Sequence, residues 1–256
     1  MLLAIDIGNS SINVGFFEAG LLRKLKIPTH PMRPDNVYMN KIHDFLLKNH
    51  REIALRGAII SSVVPDLTEK VYNAVRDLGA EHPVIVSTSL PTGLTFGVER
   101  PEEIGSDRIA NMVAASEMFG SPVIVVDFGT ATTISAVKER EFIGGAILPG
   151  IKLMSSSLRK GTAKLPLVNT FSENPEIPLR AMGKNTIMNI LSGIIYGTAG
   201  AVERLVREME QGESCRFKVV ITGGNSLIMR SFLSREIFVD PDLTLKGLRF
   251  IFERNI

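Results

Sequence analysis

"VIVVDFGTATTISAV", Val123 to Val137, is the stretch on which the fold turns. An apolar run reaches an acid, Asp127, and then come one more apolar residue, Gly129 and a series of small hydroxyl residues. "LLAIDIGNSSINV", Leu2 to Val14, is built the same way: Asp6 matches Asp127, Gly8 matches Gly129, Asn9 matches Thr130 and Ser11 matches Thr132. A compact apolar run bounded by a turn signal reads as a buried strand, and the residues behind each acid suit a tight turn. A turn and a returning strand follow each copy, "EAGLLRKLKI" with Gly20 in its turn and "KEREFIGGAIL".

The likeness predicts two similar halves, 1–118 and 119–256, each opening with strand, acid–glycine turn and hairpin, with a cleft between them. Other segments fill in an α/β pattern. Asp35 can cap a helix running to about Leu47. "GAIISSVV" is a buried strand, and Pro65 opens a helix with an apolar face of Leu67, Val71, Val75 and Leu78. Gly79 ends that helix, as glycine commonly does. "PVIV" is a further strand.

Bulk properties restrict the function. A chain of 256 residues with 29 basic and 27 acidic side chains, net +2, has too little excess charge for a nucleic-acid footprint. Cys215 is the only cysteine, so neither an intrachain disulfide nor a cysteine zinc cluster can form. "MLLAIDIGNS" lacks a basic n-region and Asp6 cuts its apolar run, unlike a signal peptide. "TIMNILSGIIYGTAGAV", Thr186 to Val202, is interrupted by Asn189, Ser192 and glycines, and reads as a buried helix rather than a membrane span. These features lead us to expect a cytoplasmic enzyme or binding protein without membrane or nucleic-acid partners.

One acid–glycine turn is an ordinary hairpin feature, whereas two facing ones can grip a polyphosphate. Backbone N–H groups in such turns make anion-binding concavities, and Ser10, Ser11, Thr130, Thr132 and Thr133 add hydroxyl donors. Asp6 and Asp127 would hold cations beside the phosphates, since phosphoryl transfer depends on positioning and charge neutralisation. Neither copy has the P-loop or the dinucleotide fingerprint. In "RPEEIGSDRIANMVAA", Gly105 or Ser106 starts a helix with Asp107 and Arg108 in its first turn. An acid there satisfies the helix dipole. It can equally stay ionised to accept a substrate proton while Arg108 grips an anionic group.

Two further segments are open in meaning. "VVITGGNSLI" sets Gly223 and Gly224 between a strand and a helix begun by Asn225 or Ser226. The glycines permit close approach of a ligand or simply a tight turn. "GGAILPG" and "RKGTAKLP" flank a helix containing Met154 and Leu158, with Lys160 and Lys164 nearby, which fits a lid, an interface or a connection. His30, His43, His50 and His82 lack metal spacing, and no G-x-S-x-G elbow is present.

"DIGNSS", "EEIGSDRIAN", "DFGTATT", "GGAILPG", "GTAKLP" and "TGGN" together, in this order, resemble the type III pantothenate kinases of the acetate kinase, sugar kinase and actin superfamily. The resemblance implies two actin-like (ribonuclease H-like) domains around a nucleotide cleft. It also implies ATP-dependent phosphorylation of pantothenate to 4′-phosphopantothenate, the first step of coenzyme A synthesis, in a homodimer. Carried over position by position, Asp6, Ile7, Gly8, Asn9, Ser10, Ser11, Ile12 and Asn13 form the first phosphate loop, with Asp6 as a magnesium ligand. Asp127 takes the monovalent cation, potassium or ammonium, and Thr130 an ATP phosphate. Gly105, Ser106, Asp107 and Arg108 line the pantothenate pocket, with Asp107 as general base. Thr186 in "GKNTIMNI" contacts substrate across the dimer interface, and Val98 stands where the family often has a pocket tyrosine. Two alternatives are another small-molecule kinase of the superfamily and a non-catalytic accessory transcription regulator.

Overall fold

Strand β1 (Leu2–Ile7) is buried along its whole length, as a strand must be when both faces of its sheet are covered. β2 (Ser11–Glu18) returns antiparallel beside it, β3 (Leu21–Pro28) follows as a second hairpin arm, and β4 (Gly57–Ser62) and β5 (Val84–Ile85) extend the other side in parallel. The sheet order is β3-β2-β1-β4-β5. The computed structural model describes residues 1–18, 20–31, 34–49, 55–80, 82–168 and 179–256.

Period-two alternation sorts the side chains of β1. Leu3, Ile5 and Ile7 pack with Tyr38, Ile42 and Leu46 of helix α1 (Asp35–Asn49) and Leu67, Val71 and Val75 of α2 (Pro65–Asp77). Leu2 and Ala4 face the other way, onto Ile109 and Val113 of α3 (Ser106–Phe119). Asp6 continues that second series, which brings it toward the α3 side. Pro65 opens α2 and Gly79, at φ +103°, follows its end. The proposed Asp35 side-chain cap and His50 lie outside the described residues.

β6 (Thr95–Phe96) precedes α3, and then the strand pattern repeats. β7 (Val123–Phe128) is followed by antiparallel β8 (Ala131–Lys138) and by β9 (Glu141–Pro149), joined through Glu139 and Arg140 at positive φ. α4 (Ile151–Gly161) and α5 (Thr186–Gly212) lead to parallel β10 (Lys218–Thr222), the short α6 (Ser226–Met229) and β11 (Phe238–Val239). The order is β11-β10-β7-β8-β9, strand for strand that of the first sheet, with β6 pairing the start of β9. Ile124, Val126 and Phe128 pack with Ile190, Ile194, Val202 and Val206 of α5. α5 runs ten residues beyond the expected Val202 because Leu205, Val206 and Met209 continue its apolar stripe. No helix among the described residues is long and apolar enough to cross a membrane.

The chain divides into two compact units, Met1–Met118 with Arg140–Phe142 and Asp242–Ile256, and Phe119–Glu139 with Ile143–Pro241. The expected second half, 119–256, therefore loses its last helix, α7 (Leu243–Arg254), to the first unit. Leu245, Leu248, Ile251 and Phe252 pack with Leu2, Ala4, Ile59, Ile109 and Val113. Gly247 permits this close packing: a β-carbon there would overlap the Ala110 carbonyl of α3.

Candidate active site

The Asp6 carboxylate is held from both neighbouring strands. Asn13 stands opposite it on β2, and its side-chain amide donates to Oδ2 at 3.2 Å. Ser61 stands opposite on β4, and its hydroxyl donates to Oδ1 at 3.1 Å. The residue is only 9% exposed. Burial pushes its pKa from 3.8 up to about 6, helped by the negative Asp107 and opposed by the Asn13 and Ser61 hydrogen bonds. Beyond Asp6 the chain turns at once: the Gly8 N–H donates to the Ser11 carbonyl at 3.0 Å, and the Thr29 hydroxyl donates to the Gly8 carbonyl at 2.7 Å. Asn9 and Ser10 are left exposed at the tip.

α3 begins beside this acid. The Ser106 hydroxyl accepts the Ser62 N–H at 2.8 Å and lies 3.0 Å from the Ser61 hydroxyl. Asp107 Oδ1 accepts the Arg108 N–H at 2.8 Å. Gly105 leaves space for that carboxylate, which a β-carbon would meet. Burial raises the Asp107 pKa above the usual carboxylate value, against the opposing pull of the Arg108 N–H and charge. A raised carboxyl is a stronger base once ionised, and a pKa nearer the working pH suits proton transfer. The Arg108 guanidinium lies 5.2 Å from the centre of the Phe142 ring, and burial lowers its pKa while Asp107 raises it.

The second acid–glycine turn has a different setting. Gly129 N–H donates to the Ala131 carbonyl at 3.1 Å, and Thr130 is exposed. The "TGGN" segment presses on this turn. Asn225 donates from its backbone and side chain to the Phe128 carbonyl at 3.3 and 3.2 Å. Gly223, at φ +88°, lies so close that a β-carbon would overlap Asp127 Oδ1. Thr222 stands opposite Asp127 in the parallel register, and its buried hydroxyl has no hydrogen-bond partner among the described residues. Gly150 likewise packs on the Gly129 and Thr130 carbonyls, leaving no room for a β-carbon.

The structure thus gathers Asp6, Asn13, Gly105, Ser106, Asp107 and Arg108 in the first unit, and Asp127 and Thr130 on a turn of the second. Ile7 and Ile12 of the expected phosphate loop have their side chains in the core, so only their backbone can serve a ligand. Asn13 spends its side-chain amide on Asp6. Val98 is half-buried beyond β6, and Thr186 is exposed at the start of α5, which Asn185 caps by accepting the Met188 N–H at 2.9 Å. Sequence reading missed Ser61 and Ser62, which look like the end of a core strand. The available signal was two hydroxyls closing an apolar run.

The oxygen donors fit hard cations. Among the described residues no three His, Cys, Asp or Glu side chains come together as a metal cage. A divalent ion at Asp6 would therefore share one carboxylate with phosphate and water, the usual habit of magnesium. A second cation at Asp127 would find oxygens in that carboxylate and in the Thr222 hydroxyl opposite it.

The type III pantothenate kinase family model matches residues 2–208. A type III pantothenate kinase from Listeria innocua is 40% identical over 258 aligned positions, covering 100% of this chain and 98% of that protein. Among solved structures, a conserved candidate Baf family transcriptional activator from Campylobacter jejuni aligns with TM-score 0.63 at 21% identity, over 99% of this chain and 98% of that one. An inorganic polyphosphate/ATP-glucomannokinase from Arthrobacter aligns with TM-score 0.52 at 12% identity, over 100% and 99% of the two chains. The last two likenesses speak to the fold alone, the duplicated α/β architecture of actin-like domains. The family match over residues 2–208 and the full-length likeness to a curated relative establish that this chain belongs to the type III pantothenate kinase family.

Proposed function

We propose that the protein transfers the γ-phosphoryl group of ATP to the primary hydroxyl of pantothenate, the first step of coenzyme A synthesis. The observation that carries the chemistry is a half-buried carboxylate of raised basicity, Asp107, beside Arg108 and next to Ser106, which meets the Ser61 hydroxyl that donates to Asp6. In the reaction Asp107 takes the hydroxyl proton as the pantothenate oxygen bonds to phosphorus, and the bond to the ADP oxygen breaks. Arg108 orients the anionic acceptor. Gly8, Asn9, Ser10 and Ser11 bind phosphate, chiefly through their backbone, and Thr130 contacts an ATP phosphate. Asp6 would hold magnesium and Asp127 potassium or ammonium. These ions supply charge neutralisation for the transferring group.

The same reading assigns a homodimer built through α5, whose Gly193, Gly197 and Gly200 have open space where side chains would stand. Thr186 then contacts the acceptor, and Val98 shapes its pocket. The site is one for small molecules in the cytoplasm, with no call for a nucleic-acid or membrane partner.

A coupled assay of ADP release with ATP, magnesium and pantothenate, with and without potassium, tests the assignment. Turnover that needs pantothenate and rises with potassium is expected. Turnover with another alcohol but none with pantothenate overturns the substrate, and absence of any ATP-dependent transfer overturns the kinase.

A further inference from the structure

Ser61 is fully buried, yet its hydroxyl faces two polar groups. It donates to Asp6 Oδ1 at 3.1 Å and lies 3.0 Å from the Ser106 hydroxyl. An ionised carboxylate can only accept, so Ser61 spends its one proton on Asp6, while the Ser106 proton can go to Ser61 or to the Ser62 carbonyl at 3.1 Å. Ser106 in turn accepts the Ser62 N–H at 2.8 Å. The resulting chain of contacts ties the Ser62 N–H and carbonyl to Ser106, Ser106 to Ser61, and Ser61 to Asp6. It passes through the first residue of α3, next to Asp107 and Arg108. The register makes the placement deliberate rather than incidental, because the second copy also puts a hydroxyl residue, Thr222, opposite its acid.

We propose that Ser61 is a positioning residue for phosphoryl transfer, fixing the Asp6 carboxylate and pinning the acceptor-side turn of α3 to the same strand. Ser61 touches neither reactant. Its task is to keep the metal-binding acid and the general base in one fixed frame, where small misplacements are costly. The role rests on the kinase reading given above.

Two variants separate hydrogen bonding from packing. Ser61→Ala removes the hydroxyl, whereas Ser61→Cys nearly keeps its volume with only a weak donor. Calorimetric binding of Mg·ADP reads the Asp6 end without any acceptor. Hydrogen exchange at the amides of residues 106–109 reads the α3 end without any ligand. Both variants are expected to bind Mg·ADP about tenfold more weakly, the value of one hydrogen bond to a charged group. Exchange at the α3 start should accelerate by a similar factor, and kcat should fall at least tenfold with the KM for pantothenate changed less. Wild-type behaviour of the cysteine variant, or exchange changed with Mg·ADP affinity intact, overturns the role. If the wild type itself binds no Mg·ADP, it is the kinase reading that fails, and Ser61 loses its role along with it.

Discussion

The two acid–glycine turns share strand order, register and a hydroxyl residue opposite the acid, and they differ in what surrounds the carboxylate. Asp6 is ringed by donors: Asn13 and Ser61 both donate to it, and Ser106 of α3 completes the chain. Asp127 is met instead by the bare backbone of Gly223, with the Thr222 hydroxyl lacking a partner among the described residues. The difference begins at the end of the second parallel strand. β4 leads through "SSVVP" into α2, while β10 leads through "TGGN" into a tight turn. A duplicated scaffold thus differs at a few residues: one copy holds its acid with two side-chain donors, and the other presses a bare glycine backbone against it.

The sharpest break in this comparison lies in α3, which carries Asp107, the base proposed above. Asp107→Asn keeps the shape and loses the basicity, so kcat should fall about 10²–10⁴-fold with Mg·ATP binding nearly intact by calorimetry. A near-normal kcat removes Asp107 from the mechanism. An unfolded variant would show that the residue serves the helix start instead.

The donor-ringed acid should also leave a mark on stability. The folded pKa of Asp6 is raised from 3.8 to about 6, so between those values the folded chain binds more protons than the unfolded one. Stability therefore falls as pH rises through that window. About two pH units correspond to roughly 3 kcal/mol. Asp6→Asn should remove most of this slope and raise the urea midpoint at pH 7.5, although activity is lost. Some slope should survive, since Asp107 is raised in the same direction. A wild-type midpoint that climbs from pH 4 to 6 contradicts the buried setting of Asp6.

Much of this molecule is legible locally. Apolar runs ending in an acid specify β1 and β7, Pro65 and Gly79 bracket α2, and the small residues after each acid mark both turns. The functional frame is less legible because it depends on pairing between distant strands. Ser61 reads as one more residue of a buried strand until the parallel register sets it opposite Asp6. The end of the chain looks like part of the second half, but α7 finds its apolar partners on β1 and α3. Gly223 reads as a turn residue, and only the fold shows a carboxylate pressed against it. The place of Asp107 in a first helical turn is legible locally, whereas the burial that raises its pKa is a property of the assembled unit.

Arg108 tests whether the acceptor belongs to the first unit. Its guanidinium lies against the Phe142 ring and beside Asp107, a setting suited to orienting an anion rather than moving protons. Arg108→Ala should raise the KM for pantothenate about ten- to a hundredfold, the loss of one charge-assisted hydrogen bond, and alter kcat less. A change confined to kcat would put Arg108 on the transferring phosphate instead.

The smallest expected effect belongs to the second turn. Asp127 stands opposite Thr222, whose buried hydroxyl has no hydrogen-bond partner among the described residues, and the backbone of Gly223 presses on its Oδ1. Such a setting favours a weakly held cation over a tightly bound structural one, because a single carboxylate with neutral oxygens carries little charge. The cation would assist by neutralising phosphate charge, a contribution near 1.4 kcal/mol, or about tenfold in rate. Asp127→Ala should therefore abolish a roughly tenfold activation by potassium while leaving the residual rate in sodium unchanged. Mg·ADP binding measured in sodium should also stay the same, since Asp6 carries the divalent end. Restoring the potassium response would require the carboxylate, so Asp127→Asn should behave like the alanine variant despite keeping the shape. Full potassium activation in either variant would separate this turn from cation binding and leave its likeness to the first turn a matter of architecture alone.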